Sequence, residues 1–219
     1  MKLYLKYMLF FVAGIVIVVS GVTAKDGRPL YGKIIYIDPG HGGYDPGTVY
    51  GNIYEKDINL NISLKLKKEI EKHGGYVYLT RNGDYDLSSP SALFRKKSDF
   101  DNRVRLINNE HPDLYLSIHM NYLNDSRYFG PQVFYNLNDE NLAIKVQKSL
   151  NKITKSDRKI KLIPKDTYMY KKLKVSGLLV ECGFLSNKKE RENLLSTIYQ
   201  QKISRAIVEG IITHFQSKE

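Results

Sequence analysis

The chain alternates strand-like and helix-like segments, and this alternation restricts its fold more than any other feature. The strand-like runs, rich in apolar and β-branched residues, cover residues 33–38, 76–81, 113–121, 130–135 and 177–184. Helical patterns cover residues 56–73, part of 91–109, 139–153, 187–195 and 197–215. Because two parallel strands can be joined only by a crossover of a dozen residues or more, strands separated by helices predict an α/β domain with a largely parallel sheet.

The length and the amino-terminal residues set the domain organisation. At 219 residues the chain is long enough for one substantial domain but not for two. Residues 7–24 carry no charge and have lysines on both sides, which predicts a secretory signal or a membrane anchor, with the remainder exported to the extracytoplasmic side. Val22-Thr23-Ala24 resembles a cleavage site, so removal and retention of the segment both stay open. The expected divisions are a signal or anchor over 1–24, a linker over 25–32 and one folded domain over 33–217.

The charge of the exported part indicates what it attracts. The formal net charge is +11, of which Lys2 and Lys6 contribute +2, leaving +9 for the residues after 24. Outside a cell this charge favours an anionic wall polymer or a membrane surface as partner, not nucleic acid, although lysine-rich faces also serve solubility alone. The lone cysteine, Cys182, excludes an intrachain disulfide and is best explained as a core thiol.

Three residues at strand or loop ends have the chemistry of metal ligands. The first strand stops at Pro39-Gly40-His41-Gly42-Gly43, where proline and glycine can present His41 at the end of a strand, the place where α/β proteins bind ligands. Alone, a histidine among glycines is more often a solvated turn residue. Glu55, after the loop 48–54, and His119, at the end of the run 113–119, complete a set of two histidines and one glutamate that is typical of hydrolytic zinc sites. We therefore predict that His41, Glu55 and His119 hold Zn²⁺.

Glu181 is the candidate catalytic residue. It is a carboxylate in an otherwise apolar strand, where an unpaired charge is costly or titrates upward, so a function explains its presence. A carboxylate beside a zinc site can accept a proton from water and pass it to a leaving amine. The alternative is a salt bridge to Arg81 or to another arginine at the end of the sheet.

Several segments together resemble the zinc-dependent N-acetylmuramoyl-L-alanine amidases of bacterial cell walls, the Amidase_3 family. The segments are Asp38-Pro39-Gly40-His41-Gly42-Gly43 with Asp45 and Gly47, Glu55-Lys56-Asp57, Thr80-Arg81, Ser117-Ile118-His119-Met120-Asn121, and Val180-Glu181-Cys182-Gly183-Phe184-Leu185-Ser186-Asn187. The resemblance implies a twisted, mixed six-stranded sheet flanked by helices, zinc on His41, Glu55 and His119, and catalysis by Glu181. It also indicates Asp38, Arg81 and Asn121 as residues that contact substrate or support the site.

The resemblance also implies a reaction. Family members hydrolyse the amide between the muramic acid lactyl group and L-alanine in peptidoglycan. The insertion over 91–99 is similar to the sporulation members (the CwlD type), which act on spore cortex peptidoglycan as the first step towards muramic-δ-lactam, and some relatives require an accessory lipoprotein. The expected location is then the wall or the forespore intermembrane space. The alternatives are another zinc peptidoglycan hydrolase, such as a deacetylase or peptidase, and a non-catalytic wall-binding module.

Overall fold

The computed structural model describes residues 27–217, and the predicted signal or anchor over 1–24 lies outside them. The strands of the described part are β1 Ile34–Pro39, β2 Val49–Tyr50, β3 Ile53–Tyr54, β4 Tyr76–Leu79, β5 Leu114–Asn121, β6 Gln132–Tyr135, β7 Lys161–Leu162 and β8 Gly177–Phe184. Its α-helices are α1 Glu55–Lys72, α2 Arg95–Asn109, α3 Glu140–Thr154, α4 Lys188–Leu195 and α5 Thr197–Gln216. Short 3-10 helices cover Leu137–Asp139 and Tyr170–Lys172. Within residues 27–217, no helix combines the length and the apolar composition that crossing a membrane requires.

Six strands form one sheet in the order β4-β1-β5-β8-β6-β7. All neighbours are parallel except β6 and β8, which are antiparallel. The predicted single α/β domain with a largely parallel, mixed six-stranded sheet is therefore confirmed. β1, β5 and β8 are adjacent, so their carboxyl ends meet at one edge of the sheet, where His119 lies opposite Glu181.

Apolar residues on both faces of the sheet pack against the helices. One cluster joins Ile35 and Ile37 of β1 to helices α1, α3 and α5, and a second cluster on the other face joins Tyr36 to α2. The alternation along β1 follows from the period of two in a strand, which sends successive side chains to opposite faces. In α1 the buried stripe consists of Ile58, Ile62, Leu66 and Ile70. This helical spacing resolves the ambiguous periodicity of the segment in favour of a helix.

The structure corrects three predictions about individual segments. The predicted linker over 25–32 is wrong at Leu30, which is fully buried in the core and whose N–H donates to the carbonyl oxygen of His73 at 3.0 Å. The loop 48–54 is the antiparallel hairpin β2–β3, and Glu55 is the first residue of α1. The stretch 154–174, predicted to be irregular, contains β7 and a 3-10 helix. Strands of two residues are too short to leave a periodic pattern in a sequence.

Candidate metal centre

The side chains of His41, Glu55 and His119 converge at the carboxyl edge of the sheet. His41 follows β1, Glu55 opens α1 and His119 lies in β5. Nε2 of His41 is 3.2 Å and Nδ1 of His119 is 3.0 Å from the same oxygen, Oε1 of Glu55. One ligand atom from each residue lies within 4.8 Å of the other two. The structure thus brings together the three residues that the sequence predicts to be ligands.

Two glycines of the motif are required by how closely these rings approach the backbone. A Cβ atom at Gly40 would lie 2.2 Å from the ring of His119, and one at Gly47 would lie 2.6 Å from Cδ2 of His41. Gly47 also has a φ of +67°. His41 itself adopts a φ of 61°, a left-handed conformation that costs a non-glycine residue about 1–2 kcal/mol. This conformation of the turn directs the imidazole of His41 towards Glu55.

Asp45 fixes the orientation of His41. Nδ1 of His41 is 2.8 Å from Oδ2 of Asp45, so this ring nitrogen donates to the carboxylate and the lone pair of Nε2 is free for a metal. Burial disfavours the protonated ring, but the hydrogen bonds with Asp45 and Glu55 outweigh it and raise the pKa of His41 to about 9. Burial also opposes ionisation of Asp45, yet its hydrogen bond with His41 holds the pKa of that carboxyl well below its usual range. Asp45 belongs to the family-like segment around His41, but its role in orienting His41 was not predicted.

Glu55 is held as a carboxylate by two backbone N–H groups and one side-chain amide. Oε2 accepts from the N–H of Thr48 at 2.8 Å, and Oε1 accepts from the N–H of Met120 at 3.0 Å and from Nδ2 of Asn59 at 3.3 Å. Burial opposes ionisation, but the hydrogen bonds from His119 and His41 hold the pKa of Glu55 well below its usual range. The side chain is 3% exposed. A buried, ionised carboxylate between two imidazoles is the electrostatic setting for a bound cation.

The donor set and its spacing fit a metal ion. Ligands of a tetrahedral zinc ion with bonds near 2.1 Å lie roughly 3.4 Å apart. The distances of 3.2 Å and 3.0 Å from Glu55 to the two histidine nitrogens are close to that spacing. Two imidazoles and one carboxylate also leave a fourth position for water. The centre therefore has the geometry and the donor chemistry of a site that could hold a metal ion.

Glu181 lies next to this centre with an unpartnered oxygen. It occupies β8, paired with His119 of β5 on one side and Gln132 of β6 on the other. Its Oε2 is buried and has no hydrogen-bond partner among the described residues. Burial raises the pKa of Glu181 to about 7. The predicted alternative, a salt bridge to Arg81, is wrong, because the hydrogen bonds of the Arg81 guanidinium go to backbone carbonyl oxygens.

Asp38 and Arg81 are buried and support the turn that carries His41. Each is 1% exposed. Arg81 donates to the carbonyl oxygens of Pro39, Gly40, Lys56 and Gly83 at 2.7–3.0 Å. Oδ1 of Asp38 accepts from Thr80, and its Oδ2 accepts from Ser117. Of the two predicted roles, substrate contact and support of the site, these buried contacts favour support for both residues.

Asn121, at the end of β5, differs from these two residues. It is half-buried, its carbonyl oxygen accepts from the N–H of Leu185 at 2.9 Å, and no hydrogen bond to its side chain is found among the described residues. Its predicted contact with substrate stays a prediction.

Arg103 is the residue of the site that sequence reasoning missed. From α2 it donates to Oδ1 of Asp38 at 2.7 Å, to the carbonyl oxygen of His41 at 2.7 Å and to Oδ2 of Asp99 at 2.8 Å, and it is 1% exposed. A basic residue on an amphipathic helix is normally solvated, so its type gives no sign of burial. The available signal was the spacing of Asp99 and Arg103, which are four residues apart and form an ion pair on one helix face.

A largely parallel sheet that carries a His-Glu-His centre, beside a glutamate with one buried oxygen at the carboxyl ends of its strands, is typical of a metal-dependent hydrolase. The family model Amidase_3, N-acetylmuramoyl-L-alanine amidase, matches residues 35–213, and the chain belongs to this family. The family, the enzyme class and the amidase activity predicted from the sequence are thereby confirmed.

Individual relatives agree with this assignment. The germination-specific N-acetylmuramoyl-L-alanine amidase of Bacillus subtilis (strain 168) is 37% identical over 197 residues, which cover 87% of this chain and 83% of the relative. The CwlD amidase from Clostridioides difficile, solved in complex with the GerS lipoprotein, superposes with a TM-score of 0.80 and 37% identity over 85% of this chain and all of that one. An N-acetylmuramoyl-L-alanine amidase from Clostridium difficile 630 gives a TM-score of 0.75 and 29% identity over 85% of this chain and 98% of that one.

Proposed function

We propose that this protein is a zinc-dependent N-acetylmuramoyl-L-alanine amidase in which His41, Glu55 and His119 hold the metal and Glu181 transfers the proton. The observation that carries the proposal is the buried, unpartnered Oε2 of Glu181 beside a three-ligand centre. An orphaned carboxylate oxygen in a strand is costly unless a ligand or a reacting group occupies its position. Water and the substrate nitrogen supply such partners in turn.

The three ligands differ in how they are held. His41 is oriented by Asp45, Glu55 by the N–H groups of Thr48 and Met120, and His119 by packing against Gly40. When bound, zinc supplies a Lewis acid for the scissile carbonyl and makes hydroxide available near neutral pH. The protein contributes a rigid position for each ligand and an open side towards solvent, since His41 and His119 are 17% and 19% exposed.

Glu181 performs the proton transfers. Its pKa of about 7, raised by burial, lets the carboxylate accept a proton from water and then release it. The water oxygen joins the lactyl carbonyl carbon, the bond from that carbon to the L-alanine nitrogen breaks, and Glu181 delivers the proton to the departing amine. The products are a muramic acid carboxylate and a peptide with a free L-alanine amino terminus.

The relatives support a substrate and a location. The Bacillus subtilis relative is germination-specific and the Clostridioides difficile relative is a CwlD amidase, so we propose spore cortex peptidoglycan as the substrate and muramic-δ-lactam formation as the step that follows. The same Clostridioides difficile protein was solved with a lipoprotein, and we propose an accessory lipoprotein as a partner here. Action on peptidoglycan requires an extracytoplasmic location, which agrees with the predicted export signal or anchor.

The roles of the two glutamates are tested by replacing each with glutamine. Glu181→Gln should retain zinc and reduce turnover by about 10²–10⁴-fold, because an amide of nearly the same shape cannot accept the proton. Glu55→Gln should lose zinc first, because a neutral oxygen is a weaker ligand than a carboxylate. Zinc content and turnover are measured on the same preparations.

The matched control is Glu192→Gln, the same change at an exposed position of α4, which should retain both zinc and activity. If Glu181→Gln loses zinc while Glu55→Gln keeps it, the two roles are reversed. If both variants turn over at the wild-type rate, neither residue takes part and the proposal fails.

A further inference from the structure

A cavity of about 350 Å³ opens beside the candidate metal centre and has no role in the mechanism above. Its walls include Tyr44, Asp45, and the residues Arg95 and Lys96 from the first turn of α2. Asp45 is the residue that holds His41, so the cavity shares one wall with the centre. The cavity is therefore adjacent to the centre, on the side of His41 that faces Asp45.

The groups that the cavity presents to solvent are cations. The side chains of Arg95 and Lys96 are 55% and 65% exposed. Arg95 lies over the ring of Tyr44 at 5.1 Å and pairs with Asp86 through Nη2 at 2.8 Å. Within residues 27–217 the Nη1 of Arg95 makes no hydrogen bond. Nζ of Lys96 lies 3.5 Å from Asp45 and 5.8 Å from the centre of the Phe100 ring. Arg95 and Lys96 therefore both have hydrogen-bond donors that are free to bind an anion.

All three carboxylates of the cavity already have hydrogen-bond partners. Asp45 accepts from Nδ1 of His41 at 2.8 Å and from the N–H of Gly47 at 3.1 Å. Asp86 accepts from the N–H and Oγ of Ser88 as well as from Arg95, and its side chain is 8% exposed. Asp99 accepts from the N–H of Leu87 at 2.7 Å and from Arg103 at 2.8 Å. Each of these carboxylates accepts hydrogen bonds from other groups of the protein, whereas Arg95 and Lys96 keep donors that are not used.

The path from cavity to centre is short. Nζ of Lys96 is 3.5 Å from Oδ2 of Asp45, and this oxygen is 2.8 Å from Nδ1 of His41. An anion bound by Lys96 thus lies one side chain away from a ligand of the centre. On one side of the scissile amide the substrate has N-acetylated sugars without charge, and on the other it has a peptide with carboxylates. Of the two sides, only the peptide carries carboxylates that Lys96 could bind close to the scissile amide.

We propose that this cavity is the subsite for a carboxylate of the stem peptide, bound by Lys96 and Arg95, an inference that rests on the proposed amidase function. Exposed lysine–carboxylate pairs contribute little on their own, whereas hydrogen bonds to charged groups in a partly enclosed cavity contribute more. The subsite selects stem peptides with free carboxylates over amidated ones.

The test measures binding of the product, a stem peptide with a free L-alanine amino terminus, to the full chain by isothermal titration calorimetry. Two probes are used, one with free carboxyl groups and one with the same groups amidated. Lys96→Gln should raise the Kd of the free-carboxyl peptide about three- to tenfold and leave that of the amidated peptide unchanged. Lys96→Arg, which keeps the charge, should restore most of the affinity.

Lys97→Gln is the matched control, because the neighbouring Lys97 lies 2.9 Å from Asp101 and is not part of the cavity wall. It should leave both Kd values unchanged. Arg95→Gln is the second test variant, since Arg95 has no contact with Asp45. It should also raise the Kd of the free-carboxyl peptide. Equal affinity of wild type for the two probes, or unchanged Kd values in both the Lys96 and Arg95 variants, would overturn the subsite.

Turnover of an intact muramoyl peptide, measured on the same preparations, separates this proposal from the amidase function. Normal hydrolysis without a preference for free carboxylates refutes the subsite alone. Preferential binding of the free-carboxyl peptide without any hydrolysis refutes the amidase function and leaves the subsite standing.

Discussion

Two glutamates at the centre differ in their surroundings, and this difference separates their roles. Glu55 accepts hydrogen bonds from the N–H groups of Thr48 and Met120 and stays ionised. Glu181 has one buried oxygen without a partner, and burial raises its pKa to about 7. A metal ligand has to remain anionic, whereas a proton carrier has to gain and lose its proton near neutral pH. The environment of each carboxylate therefore suits Glu55 to the metal and Glu181 to catalysis.

Zinc and a proton compete for His41, and this competition can be measured. Hydrogen bonds with Asp45 and Glu55, opposed by burial, raise the pKa of His41 to about 9, so the ring is protonated at pH 7 in the metal-free protein. Zinc needs the neutral ring, and we predict the release of about one proton per zinc at pH 7. Apparent affinity should rise about tenfold per pH unit from 7 towards 9 and flatten above it.

Calorimetry in buffers of different ionisation enthalpy gives the number of protons released. Asp45→Asn removes a carboxylate that raises the pKa of His41, so it should release fewer protons at pH 7. Above pH 9, where the wild-type ring is neutral and no proton competes, Asp45→Asn should bind zinc about 10–100-fold more weakly, since the ring is less well oriented. Zinc binding to wild type without proton release at pH 7 would contradict this description of the centre.

At the residue scale, residue type alone was enough to predict the candidate metal ligands and the candidate catalytic residue. His41, Glu55 and His119 follow from the ligand preferences of zinc, and Glu181 from the cost of a carboxylate among apolar residues. The spacing of Asp99 and Arg103 indicates an ion pair on one helix face. The burial of Arg103 and its contact with Asp38 could not be predicted, because they depend on how α2 packs across the sheet.

Helix α2 is joined to the candidate site through one buried side chain. Arg103 lies between Asp38 and Asp99, and its Nη2 donates to the carbonyl oxygen of His41. We predict that Arg103→Ala lowers the free energy of unfolding by about 3–5 kcal/mol, because two buried carboxylates lose their cation. Urea unfolding at pH 7 measures the loss. Arg105→Ala, at an exposed position of the same helix, should change it by less than about 0.5 kcal/mol, and equal losses in the two variants would refute the role of Arg103.

Helices α3 and α5 approach closely enough to require a glycine. A Cβ atom at Gly210 of α5 would lie 2.5 Å from the Cα atom of Val146 in α3. In an isolated helix Gly→Ala stabilises by about 1 kcal/mol, but here we predict that Gly210→Ala destabilises by about 1–3 kcal/mol, because the backbone of α3 has to move.

Thermal or urea unfolding decides the sign of the Gly210 effect. Lys202→Ala, at an exposed position of α5, is the control for helix propensity and should be close to neutral. A stabilised Gly210→Ala variant would show that the two helices separate at no cost.

At the scale of elements, the sequence predicted those with a strong period and missed those without one. The strand over 177–184 and the helix beginning at Thr197 agree with the structure to within a residue, because apolar spacing defines them. The hairpin β2–β3 and strand β7 have two residues per strand, and pairing with a distant partner, not composition, makes them strands.

For the whole molecule, the order of the strands creates the centre. β1, β5 and β8 are neighbours in the sheet although helices and loops of different lengths separate them in the chain, and this adjacency puts His41, His119 and Glu181 at one edge. The sequence predicts that such an edge exists but not which strands share it, because strand order depends on long-range packing. The resemblance to the amidase family supplied what periodicity left open.

Product analysis tests the central claim, that this centre hydrolyses the amide between muramic acid and L-alanine, most directly. Purified peptidoglycan fragments are incubated with the zinc-loaded protein and with Glu181→Gln, and the products are identified by mass spectrometry. We predict free L-alanine amino termini and muramic acid that retains its N-acetyl group with wild type, and neither new product with Glu181→Gln. Loss of acetyl groups with an intact amide, or cleavage within the stem peptide, would identify a deacetylase or a peptidase and contradict the assignment.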